Sequence, residues 1–278
     1  MRMMRLVTAV CLGFVCLLSA GHLAAAEKPA HGLDKVKHII VIYLENRSFD
    51  NLYGLFPGAN GLANAGATAT QIDKSGKPYA VLPQPVNTSV KPPAVDPRFP
   101  ANLPNKPFDI DPFVPINQPT GDLMHRFYQE QEQIDGGKMD KYAAISDAAG
   151  LTMGYYDGKG MRLWQWARRY TLADNFFHAA FGGSFLNHIW LICACTPRFE
   201  HAPASMVAVL DAAGHVTKDG AVTPDGYAVN TVFTASTPHP AKAPPDHLLP
   251  LQDLPTIGDR LSEKGISWAW YSGGWNDA

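Results

Sequence analysis

The sequence predicts an α/β fold: a mostly parallel central sheet flanked by helices. Two observations carry that expectation. Residues 36–44 ("VKHIIVIYL") are rich in β-branched side chains and apolar on both parities, which is how a strand covered on both faces reads. Further along, helical and strand-like patterns alternate instead of segregating into separate blocks. A third observation concerns extent. The stretch "ISWAWYSGGWNDA" reads as a strand and a Gly-Gly turn with no helix after it, so the sheet is expected to be incomplete at the C-terminus, the chain being a fragment of a longer protein.

Taken in order, the chain opens on a targeting signal. Arg2 and Arg5 precede an apolar run over residues 6–20, and a small-x-small site ends at Ala26. This is the pattern of a secretory signal peptide over residues 1–26, and the run is short for a membrane span. The expected location is periplasmic or secreted, with no stable membrane span after cleavage. Of four cysteines, Cys193 and Cys195 then remain. Cysteines one residue apart seldom pair, and nothing nearby completes a zinc pattern, so buried free thiols are expected. With 23 basic against 25 acidic residues and no long basic run, nucleic acid is not indicated as a partner.

Residues 64–120 are Pro-rich: more than half of the 23 prolines fall between Pro78 and Pro119. Long helices and central strands do not fit there. "IDKSGKPYAV" reads as a hairpin turning at Gly76. Interspersed Phe99, Phe108, Ile110 and Phe113 favour an ordered insertion or cap over a linker. A helix is expected from Thr120, with Leu123, Phe127 and Gln131 on one side and Gly136-Gly137 as its stop. Next come a helix in "GMRLWQWARRY", a short strand in "YTLADNFF", and an apolar helix from Ser184 after Gly182-Gly183. Residues 207–229 read as hairpins, and "TIGDRLSEKGISWAWYS" as helix, Gly265, strand.

Three places carry chemistry. In an open α/β sheet ligands gather beyond the carboxyl ends of the strands, where Glu45 and Asn46 follow the first strand. Their oxygens suit a hard cation such as Mg²⁺, Ca²⁺ or Mn²⁺; the plainer alternative is a polar loop with a turn cap. Ser184 opens a helix after two glycines. Free N–H groups and the positive dipole end there favour an anion such as phosphate, and the alternative is an ordinary N-cap. His125 is placed to contact a phosphoryl oxygen or protonate a leaving group, the alternative being a packed or solvated helical histidine. Asn187 and His188, a turn beyond Ser184, are substrate-binding candidates or else face neighbouring packing. Lys138 and Asp140 help order the same region.

The blocks "VKHIIVIYLENRSFDNLYG", "DLMHRFYQEQEQIDGGKMDKY", "FGGSFLNHIWLICA" and "PTIGDRLSEKGISWAWYSGGW" together resemble the bacterial acid phosphatase / phospholipase C phosphoesterase family. The resemblance implies an alkaline-phosphatase-like fold, with residues 27–278 the N-terminal part of a catalytic domain. It implies one divalent metal ion (Ca, Mg, Mn or Zn) with Glu45 and Asn46 as first ligands. Ser184 matches the nucleophile and also touches the metal, and His125 matches a histidine on the phosphoryl group. Substrates would be small phosphoesters or phospholipids, the serine leaning toward the acid phosphatase branch and phospholipase C being the alternative. Family members supply further metal ligands past "ISWAWYS", so the chain by itself is expected to be inactive or nearly so. From another class, an exported phosphate- or glycan-binding module without catalysis also fits the residues.

Overall fold

The structure is a computed structural model that describes residues 32–273. The expected signal peptide lies outside the described residues. The chain divides into two units, residues 1–44 and 45–278. In the first, a 3-10 turn spans Gly32–Lys35 and residues 36–44 form no strand. Ile39 and Ile40 are 83% and 84% exposed, so the expected central strand is corrected here. The reason is physical: a strand closes its hydrogen bonds only through a neighbour, and apolar side chains alone do not supply one.

The second unit contains helices α1 (Phe49–Tyr53), α2 (Phe127–Ile134), α3 (Tyr142–Ile145), α4 (Arg162–Ala167), α5 (Ser184–Cys193) and α6 (Ile257–Glu263). Its strands are β1 (Val86–Asn87), β2 (Ala94–Val95), β3 (Phe108–Asp109), β4 (Gly154–Tyr155), β5 (Val209–Leu210) and β6 (Val216–Lys218). They pair in twos: β1 with β2 and β5 with β6 antiparallel, β3 with β4 parallel, Phe108 opposite Gly154. This mix of helices and small sheets with one parallel pair is compatible with an α/β fold. The mostly parallel central sheet is not formed among the described residues. The strands expected in "YTLADNFF" and "ISWAWYS" are also absent, and Phe176 and Phe177 are exposed.

The Pro-rich segment supplies the main core. Leu82, Phe99, Leu103, Phe108, Ile110 and Val114 pack with Ala143, Ala148, Leu151 and Tyr156. Phe99 meets Phe108 edge-on at 6.1 Å and Phe113 at 5.3 Å. Prolines that forbid regular elements leave polar backbone to satisfy, and side chains do much of it. Buried Asp96 accepts from the Arg98 guanidinium, at 2.9 Å from Nε and 2.6 Å from Nη2, and from the Arg98 N–H at 3.1 Å, and those bonds hold its carboxyl below the usual range. Arg98 also donates to the Pro119 carbonyl at 3.3 Å. Buried Gln71 donates to the Met139 carbonyl and accepts the Ala143 N–H. The hairpin forms as expected, with Ile72 bridged to Pro78 and Gly76 at φ 87°.

Helix α1 docks on β4: Asn51 donates to the Gly154 carbonyl at 2.8 Å. Trp164 of α4 is fully buried, stacked on Tyr53 at 5.7 Å. Gly158 makes room for it, since a Cβ there would lie 2.6 Å from the indole. A smaller second core gathers Phe199, Val222, Ala228, Val232 and Leu249 under the β5–β6 hairpin region.

Two further expectations are corrected. The helix expected from Thr120 begins only at Phe127, because residues 121–122 lie against β1. A Cβ on Gly121 would come within 2.7 Å of the Val86 carbonyl oxygen, and Thr88 donates to the Asp122 carbonyl at 2.6 Å. His125 therefore precedes the helix. Cys193 and Cys195 are disulfide-bonded, not free thiols. Helix α5 ends at Cys193, and Ala194 takes a left-handed conformation (φ 50°, ψ 39°), which turns the chain so that the two Cα atoms stand 5.2 Å apart.

If residues 64–120 build the core, Phe99→Ala will destabilise the whole domain by about 3–5 kcal/mol. Urea denaturation followed by tryptophan fluorescence measures this; an unchanged midpoint would make the segment an appendage.

Candidate active site

The site is built from the approach to α2 and the glycine turn before α5. Gly182 has φ +103°, a conformation that L side chains rarely adopt. At Gly183 the need is space: a Cβ would lie 2.9 Å from both Cδ2 and the carbonyl oxygen of His125. The two glycines thus let the His125 ring lie against the backbone that starts α5. Gly183 is the N-cap residue and Ser184 the first residue of the helix, so Ser184 is not an ordinary N-cap. Among the described residues the Ser184 hydroxyl takes no hydrogen-bond partner within the protein.

Asn187 is buried, and its amide holds the turn. It donates to the carbonyls of Gly182 (3.3 Å) and Gly183 (3.2 Å) and accepts the Ala180 N–H at 3.3 Å. From α2, Glu130 accepts the Gly182 N–H at 2.6 Å. Burial pushes the Glu130 carboxyl up, while the Gly182 N–H and nearby His125 act the other way. Tyr142 is pushed up to about 12 by burial and by the charge of Glu130. His188 donates from Nδ1 to the Ser184 carbonyl at 2.7 Å, a bond along its own helix.

His125 Nδ1 stands 2.5 Å from the Leu123 carbonyl oxygen. A carbonyl can only accept, so Nδ1 carries a proton. In the neutral ring this leaves the lone pair on Nε2, at the ring edge that faces Gly183. The ring lines a cleft of about 280 Å³ with Lys91, Asp122, Arg126, Gly183 and Asn230. Arg126 is bonded through Nε to Asp219, which also accepts from Gln129 at 3.0 Å. Asn230 accepts the Phe127 N–H at 3.0 Å, a cap for α2 that comes from another part of the chain. Lys91 and Arg126 are balanced in this lining by Asp122 and Asp147, and Ser184 does not line the cleft itself but follows Gly183, which does.

Glu45 and Asn46 are exposed in the loop before α1 and do not line this cleft. Their oxygens suit a hard cation, but with Ser184 they number three, against the roughly six a Ca²⁺ or Mg²⁺ ion takes. No three His, Cys, Asp or Glu side chains converge among the described residues. Among the described residues the donor set is incomplete. Downstream of α2, Lys138 and Lys141 both bond Asp135, at 3.0 and 2.8 Å, and hold its carboxyl down at about 2. Asp140 helps order the region through its backbone, accepting the Ile72 N–H at 2.9 Å.

Glu130, Lys91, Arg126 and Asn230 were not singled out by sequence reasoning. Glu130 carries no local signature within "YQEQEQ", and only the fold shows it turned toward the glycine turn. Lys91 and Asn230 come from distant segments with no local signature.

The structure thus brings the His125 imidazole against Gly183, one residue before Ser184, beside a cleft of mixed charge in a domain of helices and small sheets. A family model described as the Phosphoesterase family matches residues 36–278, and the chain belongs to that family. Membership implies a hydrolase of phosphoester bonds, with a small-molecule phosphoester as substrate. No curated protein matches the chain. Among the described residues, no helix is long and apolar enough to cross a membrane.

Long-range ¹H–¹⁵N correlation spectra on neutral His125 are expected to show the proton on Nδ1. A proton on Nε2 would remove the lone pair from the side that faces Gly183.

Proposed function

We propose that the chain's site is that of an acid phosphatase-type phosphomonoesterase, with Ser184 as nucleophile and His125 as the group that moves the proton. One observation carries the reading: His125 packs against Gly183, the residue that positions Ser184 at the start of α5. The Ser184 Oγ–P bond forms as the P–O bond to the leaving alcohol breaks. The serine proton passes to His125 Nε2 and from there to the departing alkoxide. In the second step water gives a proton to Nε2 and attacks phosphorus. The P–Oγ bond breaks, Ser184 recovers its proton, and inorganic phosphate leaves. The N–H groups at the start of α5, with Lys91 and Arg126, oppose the charge that builds on the phosphoryl oxygens.

The compact cleft and its charged rim favour a small monoester dianion over a lipid head group with its acyl chains. Asn187 serves this reading by holding the turn, and His188 by its bond to the Ser184 carbonyl. The alkaline-phosphatase-like arrangement belongs to the same reading, supported by the family match and the parallel β3–β4 pair. Export to the periplasm or medium is proposed from the apolar run over residues 6–20.

Assay with p-nitrophenyl phosphate and, separately, phosphatidylcholine tests the reading. Turnover, however low in the chain by itself, is expected on the monoester, and is lowered further, about 10³-fold or more by Ser184→Ala and about 10²–10⁴-fold by His125→Ala. Ser184→Ala with unchanged turnover would remove the nucleophile assignment, and turnover on the lipid alone would make the protein a phospholipase C. Phosphate binding without turnover on either substrate would favour the non-catalytic module.

One divalent cation, Ca, Mg, Mn or Zn, is proposed separately on the donor chemistry of Glu45, Asn46 and Ser184. Equilibrium dialysis should show one ion per chain, lost in Glu45→Ala. A chain that takes up none returns Glu45 and Asn46 to a polar loop.

A further inference from the structure

We infer that Glu130 is a positioning residue for this site: it ties the segment that carries His125 to the turn that presents Ser184. The inference rests on the reading of His125 and Ser184 given above. The peptide group before Gly182 and the carbonyl after it are held from opposite sides. Glu130 Oε2 accepts the Gly182 N–H at 2.6 Å, and Asn187 donates to the Gly182 carbonyl at 3.3 Å. Asn187 belongs to α5 itself, so its bond only closes the turn onto its own helix. Glu130 belongs to α2, whose first residue follows His125-Arg126 directly. It is therefore a direct polar link between the helix that follows the imidazole and the turn that precedes the hydroxyl.

The neighbouring glutamines are engaged elsewhere. Gln129 bonds Asp219, and Gln131 bonds the Phe127 carbonyl. Of these three successive side chains, Glu130 alone reaches the glycine turn. Gly182 is itself buried, so its N–H has no solvent to replace Glu130. Without that acceptor the turn must shift to find another, and Gly183 shifts with it against the His125 ring, 2.9 Å from its would-be Cβ. A displacement of this kind leaves anion binding largely in place but spoils the alignment of hydroxyl and imidazole.

The test uses the full chain and two near-isosteric variants, Glu130→Met, which offers only a weak thioether acceptor, and Glu130→Gln, which keeps an oxygen acceptor. With p-nitrophenyl phosphate, Glu130→Met is expected to lower kcat by about 10²-fold with KM within about 3-fold, and Glu130→Gln to restore most of the loss. Hydrogen exchange at the Gly182 amide should quicken in Glu130→Met and return to the wild-type rate in Glu130→Gln. Wild-type kcat in Glu130→Met, or a Gln variant no better than Met, overturns the inference. If the wild-type chain turns over no phosphomonoester, it is the hydrolase reading that fails. The exchange arm then decides alone, and an unchanged Gly182 rate in Glu130→Met overturns the clamp. Should Glu130→Met not fold, Glu130→Gln carries the test: loss of Gly182 protection there, with the acceptor kept, overturns it as well.

Discussion

The close approach of His125 to Gly183 is the constraint on which the site depends. No side chain fits between the imidazole and the start of α5, because the space for a Cβ is already filled by the ring and carbonyl of His125. Two consequences follow from that one contact. The N-cap position goes to a glycine that cannot cap with a side chain, which leaves the first N–H groups of α5 without the side-chain acceptor most helices provide. And Ser184, displaced one position into the helix, is relieved of capping duty. A serine at the N-cap would spend its oxygen on the backbone. One residue later, the same oxygen is available for chemistry.

The turn is expensive in backbone terms and is held by several bonds at once. Gly182 sits at positive φ, Asn187 closes both glycine carbonyls, and Glu130 takes the Gly182 N–H. Asn187 stands out in the sequence as a substrate-binding candidate, one turn beyond Ser184, but its hydrogen bonds are to the turn that Ser184 leaves. The amide is the right group for this work because it donates and accepts together, giving two N–H bonds to carbonyls while receiving the Ala180 N–H. An ionised carboxylate in its place could only accept, and would face two carbonyl oxygens.

What could be read from the sequence follows from how local each element is. Helices close their hydrogen bonds within themselves, so α4, α5 and α6 appear where apolar spacing and glycine stops place them. The hairpins around Gly76 and in residues 207–229 are local too, and they form. The apolar runs at 36–44, in "YTLADNFF" and in "ISWAWYS" have strand composition, but composition does not supply the second backbone that a ladder requires. The start of α2 shows the same limit from the other side. Its cap is Asn230, about a hundred residues away, and no local pattern around Thr120 could show that the helix would begin at Phe127. Ser184 and His125 could be picked out as candidates because a hydroxyl and an imidazole are reactive groups wherever they fall. Glu130 could not, because its role lies in a backbone amide 52 residues off.

The proline-dense segment shows how a chain can form a core without long regular elements. Proline removes donors and fixes φ, so the segment enters folding with fewer N–H groups to satisfy and less conformational freedom to lose. The remaining backbone groups can then be met by a few side chains, among them buried Gln71 and half-buried Asn105, which fold the chain back on itself. Phe99, Phe108, Ile110 and Val114 fill the space so enclosed, and β3 pairs with β4 at its edge. The same packing places β1 and Thr88 against residues 121–122, and that contact keeps the approach to α2 out of the helix. His125 therefore reaches the glycine turn from an extended stretch of backbone. Were α2 to start at Thr120 as its sequence suggests, His125 would be carried on the helix and its Nδ1 would lose the Leu123 carbonyl, two residues back, as a partner. The placement of the imidazole is thus set in part by a core that contains neither His125 nor Ser184 and reaches the site through Leu123.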